Sequence, residues 1–292
     1  MFSLAKILLP VDFSDRSKNA AQYAIQLAER FGSEITILHV LPPVVAPPHE
    51  YPEIYVGVMS PEVLEERRAQ ARHHLDGFLE SEFRHLRAYR IVEEGDPATY
   101  IIQHAQAGNF GLIMMPTHGY GPFRQFLLGS VTAKVLHGAD CPVWTGVHVE
   151  TGPPTASVDL NHIVCAVDLG PHSAAVLDWG SRMAAEFKAR LSLVHVAGLD
   201  PRTEAYYFSP EWRKQIIQGA RARIDQLQTD VGVDAEVHLE IGDVHNAVRA
   251  ATESLKGDLL IVGRGSRSGI SGRLPSTAYA IIRDSPCPVV SV

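Results

Sequence analysis

The chain has 292 residues, 26 Lys and Arg against 33 Asp and Glu, and a formal net charge of −7. Apolar residues make up 46%, enough for a packed core, which excludes a largely disordered chain. The acidic balance argues against a generic nucleic-acid or anionic-membrane binder, which would need a basic patch, and no apolar run approaches the ~20 residues needed to cross a bilayer. The start MFSLAKILLPVDF carries no small-residue cleavage site, which argues against a signal peptide. Cys141, Cys165 and Cys287 are widely spaced and odd in number. They read as reduced thiols, so a cytoplasmic protein is expected.

In chain order, Ile7–Val11 is a short continuous apolar run, as in a strand covered on both faces. Ser14 or Asp15 caps the next helix, where Ala21, Ala24, Ile25, Ala28 and Phe31 fall at helical spacing and Gly32 supplies the stop. Ile35–Leu41 is a second strand, Pro61 to Phe83 one charged amphipathic helix, and Tyr89–Val92 a third strand. Asp96-Pro97 opens a helix to about Ala107, with proline at its favourable first position. Leu112–Met115 is a fourth strand, Ser130 caps a helix to about His137, and Pro142–Val147 is a fifth strand. Alternating strands and helices imply a parallel sheet with right-handed crossovers.

The second half restates the first. Asp12 pairs with Asp168 and Val40 with Val196, both at an offset of 156. Gly95-Asp96 matches Gly242-Asp243, and Cys141-Pro142-Val143 matches Cys287-Pro288-Val289. Four ordered landmarks mark a duplication. The expected architecture is α/β: two tandem doubly wound domains, each a five-stranded mostly parallel sheet flanked by helices. Their expected extents are 1–149 and 158–292, joined by a linker at 150–157 whose Gly152-Pro153-Pro154 has turn chemistry.

Ligands of such sheets bind beyond the carboxyl ends of the strands. Asp12 follows the first strand, and the glycine loop from Met115 to Gly121 follows the fourth. Gly129-Ser130 then opens a helix whose N–H groups and positive dipole end suit a phosphate. Asp12 suits the hydroxyls of a sugar. Singly, each feature is also ordinary turn or cap chemistry; together they point to a nucleotide.

The arrangement resembles the universal stress protein family. The carrying residues are Ile7–Ser14, the strand end Leu38-His39-Val40, Gly95-Asp96-Pro97, then Thr117-His118-Gly119, nine residues, Gly129-Ser130, and Cys141-Pro142-Val143. The resemblance implies a site for ATP or a related adenine nucleotide, with Mg accompanying its phosphates. By position, Asp12 would contact the nucleoside and Val40 would hold adenine through its backbone. Gly119, Gly129 and Ser130 would hold the phosphates, with Pro10, Val11, Met115 and Val131 around them. Pro116 stands where the family has its first motif glycine, so a donor used there is lost.

The second copy keeps Asp168 and Val196. Its loop is Gly263-Arg264-Gly265, and Pro275-Ser276 replaces Gly-Ser, so it reads as degenerate, with Arg264 or Arg267 as a substitute charge. Neither loop completes G-x-G-x-x-G, and neither a Walker-type loop nor H-E-x-x-H occurs. His73, His74 and His85 match no usual zinc spacing. His39 and His195 recur at equivalent strand ends, as fold residues do. The expected function is nucleotide-responsive stress regulation without catalysis beyond slow hydrolysis. The alternatives are a nucleotide-independent scaffold or small-molecule binder, and an adenylyl-transfer enzyme, for which no signature is present. The resemblance also implies a pseudo-dimer of the two domains through their final strands, and leaves a homodimer through edge strands open.

Overall fold

The computed structural model describes residues 4–43, 61–117, 128–146, 158–198, 210–264 and 276–292. The first half contains β1 (Lys6–Pro10), α1 (Asp15–Phe31), β2 (Glu34–Leu41), α2 (Pro61–Gly77), α3 (Glu80–Phe83), β3 (Ala88–Glu94), α4 (Pro97–Ala107), β4 (Leu112–Met114), α5 (Ser130–Gly138) and β5 (Val143–Thr145). The second contains β6 (His162–Ala166), α6 (Ser173–Phe187), β7 (Arg190–Gly198), α7 (Pro210–Val231), β8 (Glu236–Gly242), α8 (Val244–Leu255), β9 (Leu259–Val262), α9 (Ser276–Asp284) and β10 (Val289–Ser291).

Local signals set the helix ends. Ser14 caps α1 by accepting from the Ser17 N–H, and Gly32 closes it in the left-handed region at φ +65°. Asp96 and Asp243 cap α4 and α8 in the same way, accepting from the N–H groups of Thr99 and Asn246. One expected helix is two. The stretch from Pro61 to Phe83 breaks at Leu79, which takes φ +46°. Arg90 on β3 donates to the carbonyls of Leu75 and Phe78 at 2.9 and 3.2 Å, satisfying the end of α2. Phe78 and Phe83 are both buried. Five positions apart, they would lie about 140° apart around a straight helix, and the break lets both rings reach the core.

Among the described residues ten strands form one sheet, in the order β3-β2-β1-β4-β5-β10-β9-β6-β7-β8. Every pairing is parallel except β5 with β10. In that antiparallel pair Trp144 faces Val290, its own counterpart in the repeat. Nearby, Phe31 packs on its counterpart Phe187 at 6.2 Å between centroids. Arg30 lies 3.9 Å over the Phe187 ring and donates to the Glu186 carbonyl. Equivalent residues meeting each other mark a pseudo-two-fold axis. The final-strand edges are therefore consumed within the chain. Among the described residues the free edges are β3 and β8, studded with charges such as Arg90, Glu94, Glu236 and Glu240, which discourage strand addition.

Side chains alternate between two cores, one on each face of the sheet. Ile7 and Leu9 join the core under α1 and α6; Leu8 joins the one under α4, α5, α8 and α9. Each core contains residues of both halves.

Candidate nucleotide site

The strand order reverses between β1 and β4 in the first half and between β6 and β9 in the second. A crevice opens where crossovers leave in opposite directions. Pro10 ends β1, with Val11 and Asp12 beyond it, and Val40 lies near the end of β2. Met115, Pro116 and Thr117 follow β4. Val11, Val40 and Met115 are buried, so the walls are apolar.

The Asp12 carboxylate is held by the turn it caps. Its Oδ1 accepts from the Ser14 N–H at 3.1 Å, the Ser14 hydroxyl at 2.5 Å and the Ser17 hydroxyl. In the second half, Oδ1 of Asp168 accepts from the Gly170 N–H at 2.7 Å and the Ser173 hydroxyl at 3.2 Å. Among the described residues these bonds reach Oδ1 alone, which leaves each Oδ2 for a ligand hydroxyl. Between aspartate and turn, Phe13 and Leu169 adopt φ +64° and +59°. For non-glycine residues this conformation costs about 1–2 kcal/mol, here at the same place in both copies. Ser17 and Ser173 escaped the motif reading, although their common offset of 156 was available to find them.

The start of α5 differs from expectation. Gly129 is the capping position and Ser130 the first helical residue, with no side-chain cap. The Gly129 N–H is already committed, donating to the Thr117 carbonyl at 2.8 Å. Thr132, which the motif also missed, donates its hydroxyl to the Pro116 carbonyl at 3.0 Å. These two bonds tie the start of α5 to the residues that follow β4, so the anion donors shift one residue onward. The N–H groups of Ser130, Val131 and Thr132 meet no acceptor among the described residues. Gly119 and His118 lie outside the described residues.

The second switch point holds a cavity of about 310 Å³. Asp168, Val196 and Gly263 line it together, with His195, Val248 and Ile281; among the described residues no Lys or Arg does. Gly265, Arg267 and Pro275 lie outside the described residues, and Ser276 opens α9. Arg264 does not serve as a substitute charge there. Its guanidinium crosses to the first half, donating to the carbonyls of Ala139 at 2.5 Å and Cys141 at 2.8 Å. Those carbonyls sit where α5 ends and β5 begins, so the charge stitches the halves together.

His39 and His195 are tied to backbone, as expected of fold residues; burial lowers the His39 pKa. Burial also raises all three thiols, Cys165 and Cys287 to about 12, so they are poor nucleophiles. His85 pairs with Glu29 at 2.6 Å on the surface. Among the described residues no group of three or more His, Cys, Asp or Glu is gathered for a metal.

The universal stress protein family profile matches residues 4–145 and again residues 160–292. The chain belongs to the universal stress protein family. A universal stress protein of Methanocaldococcus jannaschii is 32% identical over 138 residues, covering 47% of this chain and 79% of its own. One from Mycolicibacterium smegmatis is 24% identical over 299 residues and covers 98% of this chain and 96% of its own, so the tandem length is shared. A solved universal stress protein from Archaeoglobus fulgidus superposes with a TM-score of 0.66 at 23% identity, over 99% of this chain and 98% of that one. That likeness is one of fold. No helix among the described residues of this universal stress protein is long and apolar enough to cross a membrane.

Proposed function

We propose that the first half, residues 1–149, binds ATP or a related adenine nucleotide, and that occupancy makes this cytoplasmic protein a nucleotide-responsive regulator of the stress response. Residues 158–292, joined through 150–157, form a half degenerate in its phosphate end, because Pro275 stands at the position of Gly129 and has no N–H for the bond that ties Gly129 to Thr117. The observation that carries the reading is the row of Ser130, Val131 and Thr132 N–H groups at the switch point. With a net charge of −7, attraction for phosphates comes from these donors and the helix dipole, worth about half a positive charge. Asp12 Oδ2 supplies an acceptor for ribose hydroxyls. Mg travels with the phosphates, and the protein acts by binding, with at most slow hydrolysis.

Ser130→Pro isolates the donor row. Proline is favoured at the first helical position, and Gly129 already has the extended backbone that a following proline requires, at φ −59° and ψ 144°. The substitution removes one N–H and the hydroxyl with the helix start kept. Calorimetric titration with Mg-ATP should give binding by the parent and about tenfold weaker binding by the variant. No heat and no thermal shift at millimolar Mg-ATP for the parent overturns the proposal.

A second reading, binding of an uncharged small molecule, is favoured in the second half by its largely apolar cavity, which Val196, Val248, Val262 and Ile281 line. Adenosine binding that survives Ser130→Pro and is lost with Val248→Trp would support it.

A further inference from the structure

The segment that leads into α5 is held from the other half of the chain. Tyr279, half-buried on α9, accepts from the Leu128 N–H at 2.8 Å, and its hydroxyl lies 3.4 Å from the Leu128 carbonyl. One phenol thus pins both backbone polar groups of the residue directly before Gly129. Leu128 is itself buried, which fixes the segment from its side-chain end. Gly129 then donates to Thr117. Between them these bonds set where the first turn of α5 points its N–H groups.

The arrangement is one-sided. With Ser276 equivalent to Ser130, the first-half counterpart of Tyr279 is Ala133, which has no hydroxyl to offer the second half. On α9, Thr277, Ala278 and Ile281 line the second-half cavity, and Tyr279 reaches across to the first half.

We infer that Tyr279 is a positioning residue for the first-half nucleotide site, supplied by the second half, so that this site is complete only in the paired tandem chain. This rests on the nucleotide reading above. The phenol touches no nucleotide; it holds the backbone from which the donor row starts. Its loss is therefore felt by ligands that carry phosphates and not by the nucleoside alone. A role confined to stability lowers the melting temperature without separating the two ligands.

The test uses the full chain, parent and Tyr279→Phe, titrated by calorimetry with Mg-ATP and separately with adenosine. Amide exchange at Leu128 is followed in the nucleotide-free protein. Loss of the two part-buried neutral hydrogen bonds, the longer of them weak, should weaken Mg-ATP about fivefold and leave adenosine unchanged, with faster Leu128 exchange. Equal Mg-ATP affinity in both proteins, or an equal loss for both ligands, overturns the positioning role while the nucleotide reading stands. If the parent binds neither ligand, the nucleotide reading fails and takes the positioning role with it. The exchange measurement then still judges the tether: unchanged Leu128 exchange shows that it does not hold.

Discussion

His39 and His195, 156 residues apart, make the same bond: Nδ1 of each lies 2.8 Å from the carbonyl oxygen of the residue before the site aspartate, Val11 and Val167. The carbonyl accepts, so Nδ1 carries the proton in both. Each imidazole thus fixes the backbone at the point where strand turns into site.

His39→Phe keeps a ring for Phe13, which packs on His39 at 4.3 Å between centroids, but orphans the Val11 carbonyl. That should cost about 1–3 kcal/mol near neutral pH. The cost depends on pH. Burial holds the His39 pKa down, with His74 and Arg67 acting the same way and the Val11 carbonyl and Asp12 opposing. As pH falls below about 6.5 the unfolded chain takes up the proton first, so the parent loses stability until the folded imidazole titrates too. His39→Phe lacks that loss. Melting temperatures of the two proteins should converge from about pH 7 to about pH 5, and a gap that stays constant contradicts the assignment.

Gly180 lies inside α6, where alanine is ordinarily better by about 1 kcal/mol. Here a Cβ would stand 2.2 Å from Cys165 Sγ and 3.1 Å from Ile261 Cδ1. Gly180→Ala should therefore destabilise by about 2 kcal/mol in urea unfolding. Adding Cys165→Ala removes the clashing sulfur and should recover part of that loss, a coupling expected only of residues in contact. Additive effects would show that the helix shifts to make room.

What the sequence disclosed was local or repeated. Ser14, Gly32 and Asp96 mark helix ends through bonds spanning a few residues, and the 156-residue offset places both aspartates at switch points. What stayed hidden depends on distant partners. The break at Leu79 is made by Arg90 and by two rings that need different directions. The Gly129 N–H looked available because its acceptor, Thr117, lies on the far side of the loop. Arg264 looked like a ligand for phosphate because sequence shows a charge but not that two carbonyls of the other half claim it.

The Arg264 bridge can be weighed. Arg264→Ala removes two charge-assisted bonds to partly buried carbonyls and should lower stability by about 2 kcal/mol. Arg264→Lys should recover less than half, since an ammonium cannot span both acceptors as the planar fork does. Nucleotide affinity should fall little in either variant. An unchanged urea midpoint would mean that water replaces the bridge at no cost.

Asp12→Asn separates the two oxygens of the site carboxylate. The amide oxygen can keep the Oδ1 bonds to Ser14 and Ser17, so the turn and the positive φ of Phe13 stay supported. The amide nitrogen replaces Oδ2, turning an acceptor for ribose hydroxyls into a donor. Melting temperature should change by only a few degrees, while Mg-ATP affinity falls about tenfold, near the cost of a lost hydrogen bond to a charged group. Asp168→Asn makes the same chemical change at the second switch point, where Oδ1 holds Gly170 and Ser173. It should leave Mg-ATP affinity unchanged, because Pro275 in that half lacks the N–H through which Gly129 ties the start of α5 to Thr117. If Asp168→Asn instead produces the larger loss in calorimetry, the nucleotide sits in the second half and the assignment of halves is reversed.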